Sequence, residues 1–458
     1  MTYFFETYGC QMNSAESAAL VLACTERGWT AAPDGESADL VLLNTCSVRL
    51  TAERRALGRI ALYASIKKKR LARGQPFALV IAGCMAQRMG DTLTKQFPAV
   101  DYVMGTASRS IFPLILQSVE EHAGKGEGTA FPAIVPEEQP CFSFSSSHLE
   151  EGRFRSFVPI MHGCDNFCSY CIVPYVRGRE ISRDPGAIAA EIRLAGEHGV
   201  REITLLGQNV NSYNWNSGEL HFAGLLRTAA AAAEHSGVRW LRFLSANPKD
   251  FSDETIAVMA DNPVFCRHLH LCVQHGSNRI LAAMNRGYTR GQYLSLVGKI
   301  RAAMPGISLS TDILVGFPGE TEEDFLEILS LMEEVQFLYA YMYHYNPREG
   351  TAAFSLPGRI GEDVKRERLS RVIGLQKKHT ATLLKARIGE RERVLVEGIS
   401  RKNADELVTR TERDEMAVAP GPAAMIGSFA ELTLSGLRGN TFRAKELTVC
   451  PGDLPCLS

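Results

Sequence analysis

At 458 residues the chain is too long for one ordinary hydrophobic core, and about three domains of roughly 100 to 200 residues are expected. A composition of 45% hydrophobic and 22% charged residues with a mean hydropathy of -0.07 excludes the disordered and fibrous classes. A net charge of -1 excludes a globally basic protein that coats nucleic acid, although local basic patches remain open. No apolar run reaches the roughly 18 residues that a membrane helix needs, and Glu6 falls where a secretory signal would need its apolar stretch, so no membrane association and a cytoplasmic location are expected.

The first part of the chain shows three apolar runs, YFFETYGC, DLVLLNTC and PFALVIAGC, separated by helix-like stretches such as SAESAALVLACTERG. Near-continuous apolar strands alternating with helices predict a doubly wound parallel sheet covered on both faces. Each run ends in a cysteine, Cys10, Cys46 and Cys84, at spacings of 36 and 38 residues. Ligands of such sheets bind beyond the carboxyl ends of the strands, so these three thiols are expected to meet at one sheet edge as a metal site. Each alone reads equally well as a small buried hydrophobe.

Residues 124–155 are rich in Gly, Pro, Ser and Glu and read as a linker in which Cys141 is incidental. Six strand-like runs follow, FVPIMHGC, EITLLGQN, WLRFLSAN, HLHLCVQH, LSTDILVGF and LYAYMYHYN, with helical patterns between them. Six βα units predict either a doubly wound sheet or a partial barrel, with the working end at the strand C-termini in both. Polar residues gather there: Cys164, Gln208, Asn209, Ser245, Asn247, Gln274, His275, Asp312 and Asn346. A basic helical stretch then leads to RERVLVEG, MAVAP, SFAELTLSG and TFRAKELTV, which predict a small β-barrel of the kind that binds oligonucleotides.

The stretch HGCDNFCSYC sets Cys164, Cys168 and Cys171 within eight residues. In a reducing cytosol, clustered cysteines point to metal or redox chemistry rather than disulfides. A four-iron cluster has four corners and normally takes four thiolates, so three leave one iron open to chelate a small molecule. The alternative is zinc with His162 or a distant residue as fourth ligand, but the chain has no second CxxC pair.

CxxxCxxC with Tyr170 before its last cysteine resembles the signature of the radical S-adenosylmethionine (SAM) superfamily, whose fold is a partial (β/α) barrel. GCDNFCSYCIVPYVRGRE is similar to the methylthiotransferase family, and TYGCQMN, NTCSVR, AGCMAQR, VGFPGET and GLRG follow in the family's order over essentially the whole chain. TYGCQMN is similar to the MiaB branch of that family, which acts on isopentenyl-adenosine beside the tRNA anticodon. The resemblance implies an N-terminal methylthiotransferase domain at 1–120, a linker at 121–150, a radical SAM core at 151–380 and an RNA-binding TRAM domain at 381–449.

It further implies two [4Fe-4S] clusters, one on Cys164, Cys168 and Cys171 and an auxiliary one on Cys10, Cys46 and Cys84, facing one cavity. SAM serves as radical source and methyl donor. Tyr170 lies against its adenine by analogy, and Gln208, Asn209, Ser245, Gln274 and Asp312 are candidate polar contacts. The implied partners are tRNA, a reductant such as flavodoxin or ferredoxin, and a sulfur donor, with the chain a monomer. The same chemistry on threonylcarbamoyl-adenosine or on a ribosomal protein aspartate is the alternative, and a non-enzymatic iron-sulfur or zinc RNA-binding protein is a further one.

The sequence departs from the family in reading CVQHGSN for PVQSGSN, which places Cys272 and His275 at Pro and Ser positions. Asn247 stands where His is common, YNPREGT replaces YSPRPGT, and Thr409 stands where Gly is usual. Lys67 to Arg70, the trio Arg177, Arg179 and Arg183, and the helix from Lys365 to Arg387 are candidate phosphate contacts, or else solvated helix faces. Tyr341, Tyr343 and Tyr345 alternate on the sixth strand, as core or as a stacking surface for a flipped base.

Overall fold

The computed structural model describes residues 1–47, 50–122 and 153–450. The last two residues of the NTCSVR motif, nearly all of the expected linker, and Cys141 lie outside the described residues. The chain forms two compact units: one made of the described part of Met1–His148 with His162–Asp165 and Cys171–Ile181, the other of the remaining described residues.

In the first unit, β1 (Thr2–Thr7), β2 (Thr30–Ala31), β3 (Leu40–Thr45), β4 (Ala78–Gly83) and β5 (Tyr102–Met104) pair in parallel in the order β2-β1-β3-β4-β5. The order reverses between β1 and β3, so the ends of those strands flank a topological switch point. Its helices are α1 (Gln11–Glu26), α2 (Leu50–Leu71), α3 (Cys84–Met89), α4 (Asp91–Gln96), α5 (Phe112–His122) and α6 (Val173–Arg177).

Every residue of β3 and β4 is buried, because both faces are covered. Leu40, Leu42 and Val80 pack on α5 through Phe112, Ile115 and Leu116. Val41, Leu43, Leu79 and Ile81 face Ala56, Ile60 and Tyr63 of α2 on the other side. Each large aliphatic side chain buried in this way stabilises the sheet by about 1.5–3 kcal/mol.

The second unit holds six parallel strands, Arg155–Pro159, Glu202–Leu206, Trp240–Phe243, His268–His270, Ser308–Val315 and Tyr339–His344. They form two three-stranded sheets joined by the parallel bridge Ala246↔Leu271. Neighbours in space are neighbours in sequence, which is the order of an open (β/α) barrel and not of a doubly wound sheet. Its helices are α7 (Pro185–Glu197), α8 (Phe222–Glu234), α9 (Asp253–Asp261), α10 (Asn278–Ala283), α11 (Arg290–Ala303), α12 (Glu322–Val335) and α13 (Glu362–Ala386). Four of their starts are set by side-chain caps, Asp184 for α7, Ser252 for α9, and capping boxes at Thr289 and Thr321 for α11 and α12.

After α13, seven strands form one mainly antiparallel sheet with Arg391–Ser400 and Asn403–Thr411 near its centre. It is tied to the barrel within this unit. Phe429 meets Trp240 edge-on at 4.8 Å between ring centroids, and Arg155 bridges Glu202 on a barrel strand to Glu397 of the sheet, both at 2.7 Å. No described helix is long and apolar enough to cross a membrane.

Candidate functional site

The three N-terminal cysteines fall where the strand-end rule puts them. Cys10 precedes α1, Cys46 follows β3 directly, and Cys84 opens α3 after β4. Asn13 holds two strand ends together, its Nδ2 donating to Tyr8 O at 2.8 Å and Thr45 O at 3.0 Å. Gly9 has φ +123°, and a Cβ there would lie 2.6 Å from Cys46 Cβ, so only glycine lets the two loops approach this closely. Cys46 and Cys84 are buried while Cys10 is exposed. Burial pushes the Cys84 thiol up to about 11, Arg177 opposes, and Glu16 and the neighbouring Cys46 and Cys10 thiols add to the rise.

Charged side chains gather beside this triad. Arg177 and Arg109 both reach Glu16 Oε1, at 2.6 and 3.1 Å; Arg177 and Glu16 are buried, and the Arg109 side chain is 12% exposed. His162 adds no charge, because burial first, with Arg177 and Arg109, holds it down to about 3. Arg177 and Arg109 therefore meet on one carboxylate beside the thiols. The Arg177 charge favours the Cys84 thiolate, so the donor set fits an anionic metal-thiolate cluster.

The CxxxCxxC loop is shared between the units. Cys164 lies in the first, where its amide donates to Gly178 O at 3.1 Å, and Gly163, at φ +81°, packs against Arg179 O where any Cβ would collide at 1.9 Å. Ile172, which follows Cys171, and Val176 pack against Cys84, so the end of the loop and the N-terminal triad share one compact unit.

Cys168 lies in the second unit. Ser169 N donates to Met284 O at 3.0 Å, and Asn285 Nδ2 donates to Asn166 O and Phe167 O at 3.1 Å, which holds Phe167 at φ +45°. Arg286 is buried with Nη1 3.3 Å from Cys168 Sγ, Nη2 2.8 Å from Cys272 O and Nε 3.1 Å from Tyr288 Oη. No carboxylate among the described residues forms an ion pair with it. A buried guanidinium without an anion is costly, and a cluster thiolate on Cys168 would supply the counter-charge.

The residues expected near SAM all lie in the second unit. Tyr170 packs against the cluster of Ile280, Met284, Leu314, Phe317, Tyr345 and Ala353. Asn209 is buried, its Nδ2 donating to Asp250 at 2.8 Å while its Oδ1 has no partner among the described residues. Ser245 and Gln274 are held at φ +65° and +70°, a conformation that costs a non-glycine residue energy and gathers at functional sites. Gln208 is half-buried. Asp312 pairs with His270, Oδ2 to Nε2 at 3.4 Å, and burial that would raise its pKa is outweighed by His270, Cys272 and Arg286.

Several expectations need correction. Arg177 is buried on Glu16, and Arg183 bonds Glu191 at 2.8 Å, leaving Arg179 as the exposed member of the trio. Lys67 pairs with Asp101 and Arg70 with Asp39. On α13, Arg368 is buried on Glu320 and Arg387, at its end, on Glu415 and Glu392. These cations serve the fold. His275 is a fully buried core histidine, 3.2 Å from Glu320 Oε2 and accepting from Ser277 N. Asn247 locks to Asn211 through its backbone at 2.7 and 2.8 Å. Tyr345 is core, whereas Tyr341 and Tyr343 are exposed. Arg286, Arg109 and Glu16 were not singled out from sequence, since a single charged residue carries no spacing signal.

The family profile of the Radical SAM superfamily matches residues 158–332, and that of Uncharacterized protein family UPF0004 matches residues 2–105. A protein of Treponema pallidum named tRNA-2-methylthio-N(6)-dimethylallyladenosine synthase is 51% identical over 97% of this chain and 98% of its own length. One of the same name from Treponema denticola is 48% identical over 97% and 99%. Among solved structures, the radical S-adenosylmethionine methyltransferase TsrM from Kitasatospora setae shares the fold, with a TM-score of 0.55 at 16% identity over 77% of this chain and 74% of that one. On that full-length similarity the chain belongs to the radical SAM methylthiotransferase family, in the branch of the tRNA-2-methylthio-N(6)-dimethylallyladenosine synthases.

Proposed function

We propose that the chain attaches a methylthio group to isopentenyl-adenosine at position 37, beside the anticodon of tRNA. The observation that carries the reading is the pair of cysteine triads, one beside the buried Arg177 and the other beside the buried Arg286, in a chain similar over its full length to synthases of that name. Cys164, Cys168 and Cys171 hold one [4Fe-4S] cluster, and Cys10, Cys46 and Cys84 hold the auxiliary one. When bound, the first supplies the electron that splits SAM into methionine and a 5′-deoxyadenosyl radical, and the second the site of the sulfur to be transferred.

The chain's own residues do the rest. Arg286 and Arg177 stabilise thiolates and fix the two cysteine loops. Tyr170, Gln208, Asn209, Ser245 and Gln274 orient SAM. Tyr341 and Tyr343, exposed on the last barrel strand, offer faces on which a base turned out of the anticodon loop can stack. Arg401, Lys402 and Arg438 border a groove of about 750 Å³ on the C-terminal sheet, where phosphates of the same tRNA can lie.

In this reading 1–120, 121–150, 151–380 and 381–449 are the methylthiotransferase domain, linker, radical core and TRAM domain. A flavodoxin or ferredoxin donates electrons to a cytoplasmic monomer, and a separate sulfur donor restores the transferred atom. Nucleoside mass spectrometry of tRNA from a deletion strain tests it. Methylthio-isopentenyl-adenosine should vanish and return with the wild-type gene but not with Cys168→Ala. An unchanged level rules the reading out, and a lost methylthio-threonylcarbamoyl-adenosine would move the chemistry to that base.

A further inference from the structure

Three donors of different kinds, none of them a member of either cysteine triad, meet inside the second unit. The ligand atoms of His270, Cys272 and Asp312 all lie within 4.8 Å of one another. His270 and Cys272 are 7% and 9% exposed, and the Asp312 side chain is 26% exposed, so the group is walled on two sides and reachable on the third.

We propose that His270, Cys272 and Asp312 form a site for a divalent cation of the zinc class. Imidazole, thiolate and carboxylate together are a borderline-soft donor set that suits Zn²⁺. Bond lengths of about 2.0–2.3 Å in a tetrahedron put ligand atoms about 3.3–3.8 Å apart. The one edge of this group resolved individually, His270 Nε2 to Asp312 Oδ2, is 3.4 Å.

The supporting contacts are those of a metal site. His270 Nδ1 lies 3.0 Å from the buried Ser310 Oγ, which fixes the ring and leaves Nε2 for a cation. Cys272 cannot drift, because its carbonyl accepts from Arg286 at 2.8 Å and Tyr288 at 3.2 Å. A His-Asp ion pair alone would not need a thiol, yet the Cys272 sulfur lies within 4.8 Å of both partners' ligand atoms. Three protein ligands leave a fourth position on the Asp312 side for water or a heteroatom of a bound small molecule. Asp312, grouped from sequence with the SAM contacts, is thereby assigned to this site.

The test uses the full chain, loaded anaerobically with iron, stripped of loose cations with a chelator and dialysed against Zn²⁺. The wild type should retain about one zinc per chain, with one sulfur neighbour at roughly 2.3 Å by zinc X-ray absorption and nitrogen or oxygen otherwise. Cys272→Ser should remove the sulfur neighbour. Ser310→Ala, which keeps all three ligands, should weaken zinc retention by about 10–100-fold. Iron content unchanged in both variants shows that they fold. Equal zinc in wild type and Cys272→Ser, or a zinc surrounded by three or four sulfurs, overturns the site. Because zinc and iron are counted separately, missing iron would contradict the proposed function and leave this inference standing.

Discussion

Arg286→Gln removes the one cation among the described residues in contact with Cys168 and leaves most of the volume in place. At 3.3 Å and an effective dielectric near 20, a full opposing charge is worth about 5 kcal/mol. An electron added to a cluster is shared over all its atoms, so a fifth to a half of that is felt, about 1–2.5 kcal/mol. For one electron this converts to a midpoint potential lower by roughly 40–110 mV, because the reduced, more negative cluster loses its stabilising neighbour. The assay is a redox titration followed by electron paramagnetic resonance, on reconstituted protein with Cys10, Cys46 and Cys84 all changed to Ala so that one cluster reports. An unmoved potential at unchanged iron content would refute the argument that Arg286 and the cluster thiolate neutralise each other.

Glu202 is expected to make the protein acid-sensitive. Burial pushes its carboxyl up, but Arg242 and Arg155 outweigh this and hold it below the ordinary 4.5. The folded chain then binds fewer protons than the unfolded one below that value, so the contribution is present above it and lost as pH falls through the folded pKa. Glu202→Gln should cost about 3–5 kcal/mol at neutral pH, as breaking a buried pair does, and flatten the fall in urea midpoint below pH 4.5. An equal acid slope in both proteins would contradict it. Phe429→Ala should cost about 3–5 kcal/mol by emptying the contact with Trp240, read as a lower urea midpoint for the barrel and C-terminal sheet together. A midpoint that falls for the sheet alone would mean that the two do not unfold as one.

Much of the fold could be read from apolar runs. All six barrel strands overlap the apolar runs and four lie wholly inside them, and Cys10, Cys46 and Cys84 follow the N-terminal strands β1, β3 and β4. Asn403–Thr411 escaped notice although it is central to the last sheet. Its first three residues, NAD, are exposed, and only alternate residues from Leu407 to Thr411 are buried, so its strand character comes from partners on both sides. Thr30–Ala31 and Tyr102–Met104 are too short to show a period.

The cysteines were legible because thiols in fixed spacing are rare, and the charges around them were not. Arg177 reads as one of three basic residues near a nucleic-acid motif, yet it is pulled inward by Glu16, 161 residues away. Only packing decides which arginine is buried. The same holds for Cys272, which reads as a departure from a proline and gains meaning from His270 and Asp312 on adjacent strands.

The most direct measurement counts iron and product in the same tube. Reconstituted wild type should hold about eight irons per chain, and the variant lacking Cys10, Cys46 and Cys84 about four. With SAM, dithionite and tRNA, the wild type should yield 5′-deoxyadenosine and methylthio-isopentenyl-adenosine, and the variant 5′-deoxyadenosine alone. A variant that keeps eight irons, or that still transfers the methylthio group, would contradict the assignment of a separate sulfur-bearing cluster to the N-terminal triad.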